Sequence, residues 1–342
     1  MTGSRRRVSV SSKLPDVHRL TTGLSELPSL AGNGKMTVIS RKPNPFGSTF
    51  PTEIVKCRLD DRNGGKTISF FIKYGTKKFD GVYGHRGNVS YEARVYQDVL
   101  QGLGFSTARF YGVHKDEKNG AAWLILEYMG KGRPASWSTD TEPIIRSAGW
   151  IGKFHATNEK RIRGGQAKFL RRYDADYYRG WARRARRLFR HGFPWLAPLC
   201  NEFERKIPKL LEAPQTIIHG EYFGSNILYQ RGVSRPTDWQ SAAIAPGEVD
   251  LASLTHSWIS SVVRKCEREY ARSRWPSGIP EHFQETLDLA RAYMSLRWLG
   301  DPGLMSEFAG RRGRRTVSQN VILAMQAMLE LHSAGHSLGL IQ

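Results

Sequence analysis

The chain has 342 residues, 39% of them apolar, which is enough to bury one large hydrophobic core or two smaller ones. It carries 52 Lys and Arg against 31 Asp and Glu, and this formal net charge of +21 favours anionic partners: nucleotides, nucleic acids, membrane surfaces or acidic substrates. No apolar run is long enough to span a bilayer, and the three cysteines fit no metal-ligand spacing, which argues against a membrane segment and a cysteine metal site.

Residues 1–35 are predicted to be an N-terminal tail or extension. The arginines at positions 5–7 could begin an export signal, but polar residues follow them and supply no apolar segment. We therefore expect a cytoplasmic protein with a short disordered tail at its start.

A strand-rich lobe is predicted over residues 36–129. Alternating and apolar runs predict strands at 36–41, 53–59, 67–73 and 123–127, and the spacing of apolar residues predicts one main helix at 88–103. The sequence at 130–134 is rich in Gly and Pro, which break regular structure, and marks the predicted boundary between the lobes.

The second predicted lobe, residues 130–342, is mainly helical. Its pattern predicts helices at 144–156, 177–190, 195–211, 251–261, 281–299 and 317–332, with a strand-rich interruption at 216–239. The predicted fold class is therefore α+β, with an antiparallel sheet lobe and a larger helical lobe. A ligand is expected in the cleft between two such lobes.

One stretch of the second lobe is strongly basic. Residues 159–190 contain twelve Lys or Arg and three acidic residues, and the predicted helix at 177–190 carries an arginine stripe beside an apolar one. A solvated helix face is the simpler interpretation. Contact with an anionic substrate or with nucleic acid is the alternative.

The strongest chemical signal lies between residues 216 and 239. A short apolar strand leads into His219 and Glu221, Asn226 follows five residues after the glutamate, and Asp238 follows a predicted hairpin. Pairing across that hairpin would set Asn226 opposite Asp238. Because amide and carboxylate oxygens suit Mg²⁺, this arrangement predicts a magnesium site next to a further carboxylate, that of Glu221.

The same segment resembles the catalytic and metal-binding stretch of the aminoglycoside phosphotransferase family, in the order His219-Gly220-Glu221, Asn226, Asp238-Trp239. That family comprises kinase-like enzymes that act on antibiotics, choline and other small hydroxylated compounds. Residues 246–252 and 154–156 resemble two further blocks of the family, and the similarity extends roughly over residues 37–299. The resemblance implies a bilobal, protein-kinase-like fold and an ATP-dependent phosphotransferase.

The resemblance also implies roles for individual residues. Glu221 would orient the acceptor hydroxyl and accept its proton, and Asn226 and Asp238 would hold Mg²⁺. His219 and Asp250 would have the structural role of bracing the catalytic loop. The family usually has Asp where this chain has Glu221, so whether the longer side chain supports full activity stays open.

A lysine and a glutamate of the first lobe are predicted to pair. Lys73 ends the strand at 67–73, and Glu92 lies on the apolar stripe of the helix at 88–103. A carboxylate on a buried face is costly unless it is paired. Protein kinases hold the nucleotide phosphates with such a Lys–Glu pair, and the resemblance implies the same use here.

Other nucleotide contacts are predicted less specifically. The loop at 42–51 would meet phosphates through main-chain N–H groups around Gly47 and through Ser48, although a plain hairpin loop explains it equally well. Glu127 and Met129 resemble the hinge against which adenine stacks. The predicted cofactors are ATP, with GTP left open, and Mg²⁺.

The predicted function is phosphate transfer to a hydroxyl of a small molecule. A site for a cationic aminoglycoside or for choline should be rich in Asp and Glu, whereas the helical lobe is rich in Arg, so a neutral or anionic acceptor is expected. Two alternatives stay open. The replacement at Glu221 would suit a catalytically silent, kinase-like nucleotide-binding protein, and the basic segment 159–190 would suit a nucleic-acid-binding protein.

Overall fold

The computed structural model describes residues 14–30, 34–46, 48–61, 64–76, 79, 81–117, 120–189, 193–301, 328–336 and 338–339. The chain divides into two compact units. The first comprises Met1–Gly132 and Arg235–Ser241, and the second comprises Arg133–Ser234 and Ala242–Gln342. The first unit is thus completed by a short segment from much later in the sequence, and this segment contains Asp238.

A five-stranded antiparallel sheet forms the centre of the first unit. Its strands are β1 (Lys35–Pro43), β2 (Thr52–Asp61), β3 (Gly64–Tyr74), β4 (Phe110–Lys115) and β5 (Ala122–Glu127), in the order β1-β2-β3-β5-β4. All four predicted strands are present, and β4 is additional to them. The register of β4 against β5 shifts between Phe110 and Gly112, and this irregularity hides the alternating pattern of β4 in the sequence.

Part of the predicted N-terminal extension belongs to the core of this unit. Helix α1 (Val17–Ser25) begins after Asp16, whose side chain accepts a hydrogen bond from the Arg19 N–H (2.8 Å). Four leucines of α1 and the turn after it join one buried cluster with side chains of the sheet: Leu20, Leu24, Leu27 and Leu30 with Val55, Phe70 and Ile72. The residues predicted to be disordered, at the very start of the chain, lie outside the described ranges.

Helix α2 (Val89–Val95) carries Glu92 in its first turn. Asn88 caps this helix by accepting a hydrogen bond from the Tyr91 N–H at 2.9 Å. A single π-helical turn, Tyr96–Leu100, continues α2, and the two elements together span most of the predicted helix at 88–103. A carboxylate is favoured in the first turn because the helix N–H groups there have no intrahelical acceptor.

The second unit is mainly helical. Its helices are α3 (Glu142–Arg163), α4 (Ala175–Phe189), α5 (Leu196–Glu212), α6 (Glu248–Thr255), α7 (Ser260–Arg274), α8 (Phe283–Gly300) and α9 (328–336). Its short strands are β6 (Arg133–Pro134), β7 (Arg171–Arg172), β8 (Gln215–Ile218), β9 (Ile227–Gln230), β10 (Val233–Pro236) and β11 (Ala243–Pro246). They form two sheets, β10-β9-β6 and β7-β11-β8, and the second half of β10 belongs to the segment Arg235–Ser241 of the first unit.

The single helix predicted at 251–261 is wrong. The chain forms α6 and α7 instead, and Ser257 between them has φ = 64°, which an α-helix does not allow. Most of α7 escapes sequence prediction because its many charged residues conceal a buried stripe of Val262, Cys266 and Tyr270. Of the helix predicted at 317–332, residues 317–327 lie outside the described ranges and the rest belongs to α9.

The arginine-rich helix α4 has the arrangement of a solvated amphipathic helix. Tyr178, Trp181 and Ala185 on one side are completely buried, whereas Arg183 and Arg187 are exposed. Three residues of the apolar stripe predicted from the sequence therefore face the core, whereas the fourth, Leu188, is 36% exposed.

The α+β class predicted from the sequence is confirmed. The first unit has the predicted antiparallel sheet and main helix, with α1 as an addition, and the second unit is built largely from helices. Within the described ranges, no helix combines the length and apolar composition needed to cross a bilayer.

Replacing Leu24 by alanine tests whether α1 is part of the core. Leu24→Ala should lower the free energy of unfolding by about 2–5 kcal/mol, because it removes a completely buried side chain and leaves a cavity. The matched control Leu14→Ala, at a site that is 43% exposed, should change it by less than about 0.5 kcal/mol. Urea denaturation followed by circular dichroism measures both. Equal midpoints for the two variants would contradict the packing of α1.

Candidate active site

Lys73, near the end of β3, lies between two carboxylates of the first unit. Its Nζ donates to Glu92 Oε2 and to Asp238 Oδ1, each at 2.6 Å. Lys73 and Glu92 are almost completely buried, whereas about one-third of the Asp238 side chain is exposed. Burial opposes the charge on Lys73, but the two carboxylates outweigh it and raise the pKa of the ammonium. The predicted Lys73–Glu92 pair is therefore present, and Lys73 stays a cation held from two sides.

Glu92 also fixes the main chain beside Asp238. Its Oε1 accepts a hydrogen bond from the Trp239 N–H at 3.2 Å. Asp238 has φ = 65°, a left-handed conformation that few residues other than glycine adopt. Such a conformation persists where surrounding contacts impose it. Here the ion pair with Lys73 and the hydrogen bond to the next residue supply those contacts.

Three further predicted nucleotide residues, Ser48, Glu127 and Met129, lie in or next to turns of the first unit. The Ser48 hydroxyl accepts a hydrogen bond from the main-chain N–H two residues later (3.4 Å), and Gly47 lies outside the described residues. Glu127 ends β5, and the Met129 carbonyl accepts from the N–H three residues later (2.9 Å). Glu127 and Met129 thus stand where β5 gives way to a turn.

Asp250 of α6 holds the loop that follows β8 in the second unit. Its two carboxylate oxygens accept hydrogen bonds from the main-chain N–H of His219 (2.6 Å) and of Gly220 (2.9 Å). Gly220 has φ = 81°, which only glycine adopts at little cost. Because the loop turns sharply here, its N–H groups need a side-chain acceptor, and a completely buried carboxylate provides one.

Two histidines support the same loop. His155 Nε2 of α3 lies 3.2 Å from Asp250 Oδ2, and burial lowers the pKa of His155, although Asp250 opposes this effect. His219 Nδ1 accepts a hydrogen bond from the Glu221 N–H at 3.3 Å. Both side chains are completely buried, so each contributes to the shape of the loop.

A buried ion pair between α7 and α6 lies next to the contact of His155 with Asp250. Arg274 Nη1 donates to Glu248 Oε1 (3.1 Å) and to the Tyr270 hydroxyl (2.5 Å), and that hydroxyl also lies 3.0 Å from His155 Nδ1. Burial opposes the charge on Arg274, but Glu248 and the other neighbouring groups outweigh it and raise its pKa. Helix α7, which sequence reasoning missed, thus helps to fix the helix that carries Asp250.

Glu221 and Asn226 lie in the loop between β8 and β9. Glu221 is 5% exposed, and its main-chain carbonyl accepts a hydrogen bond from Asn226 Nδ2 at 2.9 Å. This bond assigns the amide nitrogen to the main chain, so the amide oxygen points the other way and is the atom that a cation would meet. The arrangement fits the predicted use of Asn226 as an oxygen ligand.

Sequence reasoning missed a basic residue beside Glu221. Arg297 of α8 is 2% exposed, and its Nη1 lies 3.6 Å from Glu221 Oε1. A signal was available, because Arg297 continues a buried stripe of Ala290, Tyr293 and Met294. A charged residue on an apolar stripe is the same signal that predicted a partner for Glu92.

The structure therefore groups the predicted residues by unit. The first unit brings together Lys73, Glu92 and Asp238. The second unit brings together His219, Glu221, Asn226 and Asp250. Within the described ranges, no group of three or more His, Cys, Asp or Glu side chains forms a metal site.

Comparison with protein families gives a direct match to this part of the chain. The model of the phosphotransferase enzyme family matches residues 83–277, a stretch that contains Glu92, the loop with Glu221, Asp238 and Asp250. The chain belongs to the phosphotransferase enzyme family. The resemblance inferred from the sequence is confirmed, and this member of the family is a phosphotransferase. No curated protein matches the sequence significantly.

Solved structures share the fold of this phosphotransferase. A candidate aminoglycoside phosphotransferase from Ralstonia eutropha JMP134 is 15% identical, covers 94% of this chain and 98% of its own, and has a TM-score of 0.65. Choline kinase LicA from Streptococcus pneumoniae is 13% identical over 92% of this chain and 98% of its own, with a TM-score of 0.58. The predicted protein-kinase-like fold is confirmed.

A double-mutant cycle tests the buried charge cluster. Lys73→Met should lower the free energy of unfolding by about 3–5 kcal/mol, because it leaves Glu92 buried without its countercharge. Adding Glu92→Gln should recover much of that loss. Lys56→Met, at an exposed position of β2, is the matched control and should have little effect. Chemical denaturation measures the wild type, the Lys73→Met and Glu92→Gln single variants, the double variant and the control, and additivity of the Lys73 and Glu92 effects within about 0.5 kcal/mol would contradict the pairing.

Proposed function

We propose that this phosphotransferase moves the γ-phosphate of ATP to a hydroxyl group of a small molecule, with Glu221 orienting that hydroxyl and accepting its proton. The observation that carries the proposal is the cluster in which buried Lys73 binds both Glu92 and Asp238 at 2.6 Å. Kinase-like enzymes hold the nucleotide phosphates and a metal ion with these residue types. The family match supports phosphate transfer as the reaction.

Nucleotide binding would rest on the first unit. Lys73 is a fixed cation at the end of β3, suited to phosphate oxygens, and Glu127 and Met129 end the strand whose main chain would meet adenine. Structures of similar fold support this use, since one is the GDP complex of aminoglycoside 2′-phosphotransferase-IIIa and another is LicA in complex with AMP. The same contacts would serve GTP, so ATP is the proposed nucleotide by analogy with kinases.

The oxygen atoms of Asp238 and Asn226 are suited to Mg²⁺. Asp238 offers a partly exposed carboxylate, and Asn226 offers an amide oxygen whose orientation is set by the Nδ2 bond to Glu221. One carboxylate and few protein ligands are typical of Mg²⁺ sites, which complete their shell with phosphate and water. When bound, Mg²⁺ would neutralise negative charge on the phosphates.

Glu221 would act on the acceptor. Asp250 accepts hydrogen bonds from the N–H groups of the two residues before Glu221, and His219 accepts one from the Glu221 N–H, so the carboxylate is carried by a segment whose main chain is held in place. The acceptor hydroxyl would donate its hydrogen bond to this carboxylate, which would receive the proton as the new O–P bond forms and the bond from the γ-phosphorus to ADP breaks. Orientation by such a preformed loop lowers the entropic part of the barrier.

Glu221→Gln tests the base. The amide keeps the shape of the side chain but cannot accept the proton, so turnover should fall by about 10²–10⁴-fold while nucleotide affinity is retained. Phosphate transfer from ATP to a panel of hydroxylated metabolites and antibiotics measures the first effect, and calorimetric titration with nucleotide measures the second. Undiminished transfer in Glu221→Gln would refute the role of this residue.

Asp238→Ala tests the metal site. Removing this carboxylate should abolish the Mg²⁺ dependence of nucleotide binding and nearly all phosphate transfer, because the remaining amide ligand is too weak alone. Thermal stabilisation by ATP, measured with and without Mg²⁺, is the readout. Asp98→Ala, which removes an exposed carboxylate of the first unit, is the control. Near-native turnover in Asp238→Ala would rule out the assignment.

A catalytically silent nucleotide-binding protein is the second candidate. Glu221 favours it, because this glutamate stands where the resemblance leads one to expect aspartate. The same two assays separate the candidates. Mg²⁺-dependent nucleotide binding without transfer to any acceptor, in a protein as inactive as Glu221→Gln, would identify the silent protein.

A further inference from the structure

A buried arginine lies beside the proposed base. The 3.6 Å separation between Arg297 Nη1 and Glu221 Oε1 is longer than a hydrogen bond and longer than the 2.6 Å ion pairs of Lys73. At this separation Arg297 acts on Glu221 through its charge. The proposed reaction assigns no role to this guanidinium, although burying one is costly.

Aromatic rings fix the position of the guanidinium. Its Cζ lies 5.2 Å from the ring centroid of Trp298 and 5.9 Å from that of Phe223. The two rings contact each other, with their centroids 5.7 Å apart. Arginine packs against aromatic rings through its planar face, and its N–H donors lie in the plane of that face. Phe223 belongs to the loop of Glu221, so the rings also tie Arg297 to that loop.

Tyrosine hydroxyls add neutral hydrogen-bonding groups near Arg297. Tyr293 lies one turn before Arg297 on α8, and its hydroxyl is 2.7 Å from the hydroxyl of Tyr177. Tyr173 stacks on Tyr177 with ring centroids 3.9 Å apart. Burial raises the pKa of all three phenols, and the charge of Arg297 acts weakly in the opposite direction. The phenols stay protonated, so they place no negative charge near the guanidinium.

We propose that Arg297 binds an oxyanion of the acceptor, either a carboxylate or a phosphate group, and thereby selects anionic hydroxylated molecules. This inference rests on the proposed function, because it takes Glu221 as the group that meets the acceptor. When Glu221 receives the proton its carboxylate becomes neutral, and the buried guanidinium loses that countercharge. An anion on the acceptor replaces it. A cationic amine would instead meet a like charge and be rejected.

Binding to the full-length protein without nucleotide tests the subsite. A series with the same three-carbon backbone varies the charge: glycerate and glycerol 3-phosphate are anions, glycerol is neutral, and serinol is a cation. Isothermal titration calorimetry should show at least one anion binding about 10- to 100-fold more tightly than glycerol, as a hydrogen bond to a charged group predicts. Serinol should bind less tightly than glycerol. Comparison of the two anions distinguishes a carboxylate from a phosphate subsite.

Variants connect that preference to Arg297. Arg297→Met should remove the preference for the anion, and Arg297→Lys, which keeps the charge and is less disruptive to the fold, should retain part of it. Arg264→Met removes one charge from an exposed position of α7 and should leave the preference unchanged. In phosphate transfer to the preferred anion, Arg297→Met should raise KM about 10- to 100-fold with a smaller change in kcat.

Several results would overturn the inference. Equal affinity for the four compounds, no binding of either anion, or an anion preference that survives in Arg297→Met would each do so. Failure of the proposed function has a different signature, because ATP would then show no Mg²⁺-dependent binding and no transfer while the anion preference persisted.

Discussion

Burial of the Lys73 ammonium group depends on the two carboxylates that pair with it. Taking one charge out of water is costly, and two opposite charges at 2.6 Å make that burial tolerable. Glu92 is supplied by α2, whereas Asp238 comes from the segment Arg235–Ser241, which completes the first unit from far downstream. The same contacts hold Asp238 in its left-handed conformation. One buried cation thus determines which distant segment packs against the sheet and how its carboxylate is presented.

In the second unit, a buried carboxylate, that of Asp250, is paired with main-chain N–H donors. The loop after β8 turns at Gly220, just after the pairing of β8 with β11 ends at Ile218, so its N–H groups need other acceptors. Asp250 accepts two of them, and His155 contacts the same carboxylate. The loop is therefore rigid where it carries Glu221. Rigidity at that point is what a proton acceptor needs, because a small displacement of the reacting atoms lowers the rate steeply.

Charge close to Glu221 carries more information about the acceptor than the charge of the whole chain. The net charge of +21 is a property of the whole sequence, and on α4 the exposed Arg183 and Arg187 contribute to it away from the buried stripe. Arg297, in contrast, is buried and lies 3.6 Å from the carboxylate that would meet the acceptor. Its influence is local, since Coulomb interactions are strongest where water is excluded.

The sequence by itself determined the α+β class, most elements of regular structure, the order of the catalytic motif and the partnership of Lys73 with Glu92. These features are encoded within short spans, in the alternation of a strand, the stripe of a helix or the spacing of a loop. Only the tertiary structure decided that Asp238 also binds Lys73, that α7 supports the brace at Asp250 and that Arg297 stands beside Glu221. Periodicity shows which side of an element is buried. It does not show which distant side chain that burial will bring against it.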